Sequence, residues 1–170
     1  MSQIKIYSTD AIDKPFKELA MKRFGYGRGS ISKAAEEALY MWIREMSRID
    51  KALAKIKEAA EKDGATIAVV LFGSFARKEI SFRDVDVGII VDKNYDSVKT
   101  YEYYASLVGD DDSIDLSIVN DLPIEVQSSI FNDAIVLYCR DYDALYDYTI
   151  KIIKKSSDVK STIKEVLKTV

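Results

Sequence analysis

The period of the hydrophobic positions changes along this chain, and the change divides it. Up to Gly64 the apolar residues recur mainly at helical spacing. Phe16, Leu19, Ala20 and Phe24 form one stripe, stopped by Gly25-Tyr26-Gly27-Arg28-Gly29. Ile31, Ala34, Ala35, Ala38, Leu39, Trp42, Ile43 and Met46 form a second, the cleanest helical period in the sequence. Ile49, Leu53, Ile56 and Ala60 form a third, ending at Gly64. Three helices are predicted. Asp13 followed by Lys14-Pro15 starts the first, and Ser30 or Ser32 caps the second. Ahead of them, Gln3-Ile4-Lys5-Ile6-Tyr7-Ser8 alternates with a period of two and predicts a short strand.

Beyond Gly64 the pattern becomes that of strands alternating with helices. Ile67-Ala68-Val69-Val70-Leu71-Phe72 is short, apolar and β-branched, as a buried strand is. Further strands are predicted at Val85 to Val91, Ile114 to Val119 and Ala134 to Tyr138. Val98, Tyr101, Ala105 and Val108 predict a helix between the second and third of these, and Pro123 to Asn132 another. Asp141 to Val170 carries helical spacing, with room for a break at Ser156-Ser157. Such alternation predicts an α/β or α+β fold with a mixed sheet.

Composition narrows the chemistry. The 170 residues are 48% hydrophobic and 31% charged, enough for a buried core and a solvated surface, and they suit one domain or a domain with a small module. The longest apolar run is too short to span a bilayer, and the first residues lack the pattern of a signal peptide. With one cysteine, Cys139, no internal disulfide can form, and the chain is expected to be cytoplasmic, without a membrane partner. There is no histidine. That excludes a catalytic His, a His-ligated zinc and every Ser-His or Cys-His mechanism. The net charge of −3 divides into +3 over residues 1–63 and −6 over the remainder, a soft sign of two modules.

The candidate chemistry lies in Leu71-Phe72-Gly73-Ser74-Phe75-Ala76-Arg77 and the residues after it. A buried strand runs into Gly73-Ser74, where glycine admits a ligand close to the backbone and a helix start offers N–H groups to an anion. This suits a phosphate. Asp84 and Asp86 follow, two apart on a strand, so their carboxylates share one face while Val85, Val87 and Ile89 face the core. Asp115 alternates with Ile114 and Leu116 in the next strand and joins the pair if the strands are neighbours. Three gathered carboxylates repel, at roughly 4 kcal/mol per pair for a separation of about 4 Å and an effective dielectric of about 20. An all-oxygen cluster suits Mg²⁺, and beside a phosphate cradle it points to phosphoryl or nucleotidyl transfer. Arg77, Lys78 and Arg83 either contact phosphate or balance nearby acids. Asp110-Asp111-Asp112 is expected to be a solvated loop outside the site.

In this order, the Gly-Ser, Asp-apolar-Asp and later lone Asp resemble the DNA polymerase β-type nucleotidyltransferase superfamily. The chain is most similar to its minimal branch, found as the antitoxin of HEPN-domain toxins. The resemblance spans roughly residues 50–150 and includes Leu122-Pro123 and Ile130 to Tyr138. It implies the polymerase β-type fold, a mixed sheet flanked by helices, and ATP-dependent AMP transfer to a tyrosine of a partner HEPN toxin. Carried over by position, Gly73, Ser74 and Arg77 would contact the nucleotide, while Asp84, Asp86 and Asp115 would be catalytic and bind Mg²⁺, with two ions expected. Two departures stand out: a short spacing from Ser74 to Asp84, and Lys78 where many members have Gly.

Residues 1–48 precede the nucleotidyltransferase domain, expected over 49–170. Their strand, helix, Gly-rich turn and helix resemble a ribbon-helix-helix module, which pairs as a homodimer and presents its ribbon to the major groove. That resemblance implies DNA binding through Lys5 and Tyr7, with Gln3, and a phosphate contact near Ser30, while Ile4 and Ile6 face the core. The alternative function is then a dimeric DNA-binding autoregulator that neutralises a toxin by complex formation, with little or no catalysis. Nucleotide transfer to a small molecule is a weaker alternative, since no substrate domain follows.

Overall fold

The computed structural model describes residues 4–109 and 112–167, so the expectations for Gln3, Asp110, Asp111 and residues 168–170 fall outside the described residues. Two compact units divide the chain, Met1–Arg48 and Ile49–Val170.

In the first unit, helix α1 spans Asp10–Phe24, three residues earlier than the sequence pattern predicts. The Ile12 and Asp13 N–H groups both donate to the Thr9 carbonyl, so Thr9 caps through its backbone alone. Asp10 and Asp13 in the first turn, and Lys22 and Arg23 in the last, complement the helix dipole. Pro15 therefore lies inside the helix, not in its first turn. Gly25 ends α1 at φ +84°, a conformation that glycine adopts at no steric cost. Of the strand expected at residues 3–8, the described residues 4–8 are in neither helix nor sheet in the single chain. A strand exists only through its ladder, and the unit supplies none.

Helix α2 runs unbroken over Ser30–Lys62, where two helices are predicted. Met46, Ile49, Leu53, Ile56 and Ala60 keep the three-and-four spacing through the expected gap, and neither Gly nor Pro interrupts them. The stripe that looked like two is one.

The second unit is built on a mixed four-stranded sheet flanked by helices, an α+β architecture. Strand β1 (Thr66–Phe72) leads into a single helical turn, α3 (Gly73–Ala76), and then β2 (Val85–Val91). Helix α4 (Ser97–Val108) crosses to β3 (Ile114–Ile118). A 3-10 turn at Val119–Asp121 precedes α5 (Ile124–Ile130), β4 (Ile135–Cys139) and α6 (Tyr142–Leu167). The strand order is β3-β2-β1-β4, with β2 and β3 parallel and the other pairs antiparallel. Helix α6 continues through Ser156-Ser157, because serine inside a helix costs only a few tenths of a kcal/mol.

Burial explains the patterns. Central β1 is covered on both faces, so its sequence is a continuous apolar run. In β2, Val85, Val87 and Ile89 are fully buried on one face. Asp86, Gly88 and Ile90 alternate onto the other, where Ile90 joins a core cluster with Val70, Val119, Ile130 of α5 and Leu145 of α6. A side chain at Gly88 would stand 2.7 Å from a Val119 methyl, so the cluster closes there only over glycine. Past the end of β3, the Asn120 amide accepts from the Val91 N–H at 3.0 Å and donates to its carbonyl at 3.1 Å, so a side chain continues the pairing alongside β2. Among the described residues, no helix is long and apolar enough to cross a membrane.

Ile89 lies on a central strand with no exposure. Ile89→Ala is expected to lower the unfolding free energy by about 2–5 kcal/mol, seen as a lower urea midpoint at unchanged slope.

Candidate active site

Two ladders converge on Asp86. Parallel pairing of β2 with β3 sets it directly beside Asp115, and antiparallel pairing of β1 with β2 sets it opposite Phe72. Asp84 lies in the bend just ahead of β2, and its charge is felt at Asp86. Asp86 and Asp115 are thus paired across the ladder at one end of β2, with Asp84 next to that end in sequence. Gly73 and Ser74 begin α3 at that same end, directly after Phe72.

Gly73 is the closest fit. Its φ of +70° is left-handed, and a Cβ there would lie 2.0 Å from Asp86 Oδ2 and 2.9 Å from Asp86 Cγ. The carboxylate occupies the space where any other residue would carry its side chain. Glycine is needed twice, once for the backbone and once for Asp86. Five residues on, Lys78 also takes a left-handed conformation, φ +57°. The turn asks for a conformation that glycine would adopt freely, and lysine adopts it at a cost of about 1–2 kcal/mol.

Charge is unevenly balanced. Burial raises the Asp86 carboxyl above the usual carboxylate range, and the charges of Asp84 and Asp115 raise it further. Arg83 Nε donates to Asp84 Oδ2 at 2.9 Å. Arg77, expected at the nucleotide, donates from Nη1 to Asp133 Oδ2 at 2.8 Å and from Nε to Glu79 Oε1 at 2.7 Å. Both arginines therefore balance acids in this structure. Arg77 ties the loop after α3 to the segment before β4. No sequence signal marks Asp133 for this, since it lies 56 residues away and outside the motif. Phe75 and Phe82 pack edge to face with centroids 5.1 Å apart, which pins the far end of the same loop. Ser74 is partly buried and Asp112 exposed.

Among the described residues, no three acids are gathered around one point as their side chains stand. The donor chemistry nonetheless fits a hard divalent cation. The candidate donors are carboxylate oxygens, and burial with like charge disfavours ionised Asp86, which a cation would relieve.

In the first unit, Lys5 and Tyr7 share a side of the chain, with Lys5 Nζ 5.1 Å from the Tyr7 ring centroid. Ser30 is buried, its hydroxyl donating to the Gly25 carbonyl at 2.5 Å and the Gly27 carbonyl at 3.0 Å. The hydroxyl thus closes the Gly-rich turn. Ile4 and Ile6, expected in a core, are 73% and 64% exposed, because nothing in their own unit covers them.

Sheet, strand-end carboxylates and Gly-Ser turn together define a nucleotidyltransferase-type fold. Residues 54–143 match the family model "Polymerase beta, Nucleotidyltransferase", and the chain belongs to that family. Solved structures agree on the fold. A chain from a toxin–antitoxin complex with AMP-PNP superposes at a TM-score of 0.52 and 15% identity, covering 72% of this chain and 95% of its own. One from the complex of tri-AMPylated HEPN toxin with MNT antitoxin of Shewanella oneidensis gives 0.51 at 13% identity, covering 74% and 96%. One from an MntA–HepT toxin–antitoxin complex gives 0.52 at 14%, covering 69% and 95%. No curated protein sequence matches significantly.

Gly73→Ala is expected to destabilise the protein by at least about 1–2 kcal/mol from backbone strain alone, and to displace Asp86, both visible in denaturation curves and a crystal structure. Asp86→Asn is expected to raise Tm at neutral pH in buffer without divalent cations, because the amide carries no charge to bury or repel. The folded wild type holds this proton more tightly than the unfolded chain does. Its deficit is therefore recovered as pH falls through the raised carboxyl value, and the two melting curves converge in acid.

Proposed function

We propose that this chain is a Mg²⁺-dependent nucleotidyltransferase of the antitoxin type, which transfers AMP from ATP to a tyrosine of a partner HEPN toxin. The observation that carries the reading is the pairing of Asp86 with Asp115 at the strand end where Gly73-Ser74 begins its turn, with Asp84 just ahead of β2. The structural neighbours from toxin–antitoxin complexes, one holding AMP-PNP and one an AMPylated toxin, support the nucleotide and the partner.

In this reading the Gly73 backbone and Ser74 hydroxyl hold the triphosphate. Asp84, Asp86 and Asp115 hold Mg²⁺, which supplies charge stabilisation for the phosphates. The acceptor hydroxyl attacks the α-phosphorus, the bond to the β-phosphate breaks, and pyrophosphate leaves. The hydroxyl proton passes to a carboxylate of the cluster. Arg77 reaches the nucleotide by exchanging Asp133 or Glu79 for phosphate oxygens, which accept its planar donors equally well.

A second reading rests on the first unit. Ile4, Ile6, Ile12, Phe16, Leu39 and Trp42 line a groove of about 550 Å³, and Trp42 is 60% exposed. A second copy covering this groove would give the 1–48 segment its missing strand partner, as a ribbon-helix-helix homodimer does, with Lys5 and Tyr7 outward toward operator DNA. The chain would then be a dimeric autoregulator that neutralises its toxin by binding.

The deciding measurement is mass spectrometry of the HEPN partner after incubation with this chain, ATP and Mg²⁺. A tyrosine adduct with the mass of AMP is expected, reduced at least about 10²-fold by Asp84→Asn with Asp86→Asn. Co-purification without an adduct would leave the binding reading.

A further inference from the structure

Of the cations near the three carboxylates, Arg83 is the one bonded to a member of the cluster among the described residues. Arg83 Nε donates to Asp84 Oδ2, and Arg83 Nη2 lies 2.8 Å from the same oxygen. Its charged form is favoured first by that bond, then by the charge of Asp84, with smaller contributions from Asp115 and Asp86. The anchoring is uneven along the residue. Phe82, the residue before it, is held by the edge-to-face contact with Phe75. The Arg83 side chain itself is 92% exposed, while that of Asp84 is only 20% exposed. An exposed charged head thus follows an anchored ring, and both of its short contacts go to one oxygen of one candidate metal ligand.

We propose that Arg83 is a built-in counter-ion of the carboxylate site, which a divalent cation must displace from Asp84 in order to bind. The proposal rests on the reading of Asp84, Asp86 and Asp115 as metal ligands. Without the ion, the guanidinium offsets part of the repulsion among three acids held at one strand end. With the ion, the two cations repel, and the Asp84 oxygen that accepts two N–H contacts is needed as a ligand. The long exposed side chain lets Arg83 leave without disturbing β2. Arg83 therefore opposes metal loading while supporting the metal-free fold, so its removal acts with opposite signs on the two states. A purely structural arginine would not do this. A wholly exposed guanidinium is well screened, so the effect on affinity is modest, about three- to ten-fold.

Isothermal titration of the full chain with MnCl₂, without nucleotide, tests this on wild type, Arg83→Gln, Arg83→Lys and the Asp84→Asn, Asp86→Asn double variant. Arg83→Gln is expected to bind Mn²⁺ about three- to ten-fold more tightly, with a lower Tm before metal and a larger Mn²⁺-induced rise in Tm. Arg83→Lys, which keeps the charge but loses the fork, is expected between the two. The gain should shrink in 0.5 M KCl, since salt screens exposed charge at about 3–5 Å. Equal or weaker Mn²⁺ binding by Arg83→Gln, where the double variant has lost binding, overturns the role of Arg83 and leaves the metal site standing. Mn²⁺ binding undiminished in the double variant, or none in wild type, overturns the metal-site reading and the counter-ion with it.

Discussion

The site depends on the seating of one carboxylate. Asp86 is held by the β2 backbone between two ladders, one bringing Asp115 alongside and the other bringing the end of β1 across from it. Its oxygen then fills the space over Gly73. A turn that must start left-handed, with no side chain at its first residue, is thereby fixed next to the acids. Register errors are costly here, since a slip of one residue would move Asp86 to the apolar face and Val85 or Val87 to the site.

The same seating creates an electrostatic problem that the surrounding residues partly solve. Asp86 is disfavoured as an anion by burial and by its neighbours. The chain offers two arginines on the loop between α3 and β2, and each is already engaged: Arg83 with Asp84, Arg77 with Glu79 and Asp133.

Much of this was legible in the residues. The buried strand, the Gly-Ser turn, the Asp84–Asp86 alternation and the lone Asp115 each follow from periods of two and from the chemistry of the side chains. Family membership then follows from their order. Other features were illegible because they depend on partners distant in the chain. Asp133 carries no mark of its bond to Arg77, and Phe75 and Phe82 look like ordinary loop aromatics until they touch. The single helix α2 was misread as two, although its apolar spacing never breaks. Alternation at residues 3–8 shows what the segment can pair with, and the described residues 4–8 of the single chain have no strand partner.

The sequence by itself determined which residues alternate, which turn and which carry charge, since these depend on covalent geometry and on neighbours within a few positions. It therefore determined that Asp86 faces away from Val85 and Val87 and that β1 is buried. Only the tertiary structure decided that β2 and β3 run parallel with Asp86 beside Asp115, that Gly73 lies under a carboxylate, and that Arg83 rather than Arg77 answers Asp84. Those are contacts between segments. Their energies depend on distances of a few ångströms that no local pattern specifies.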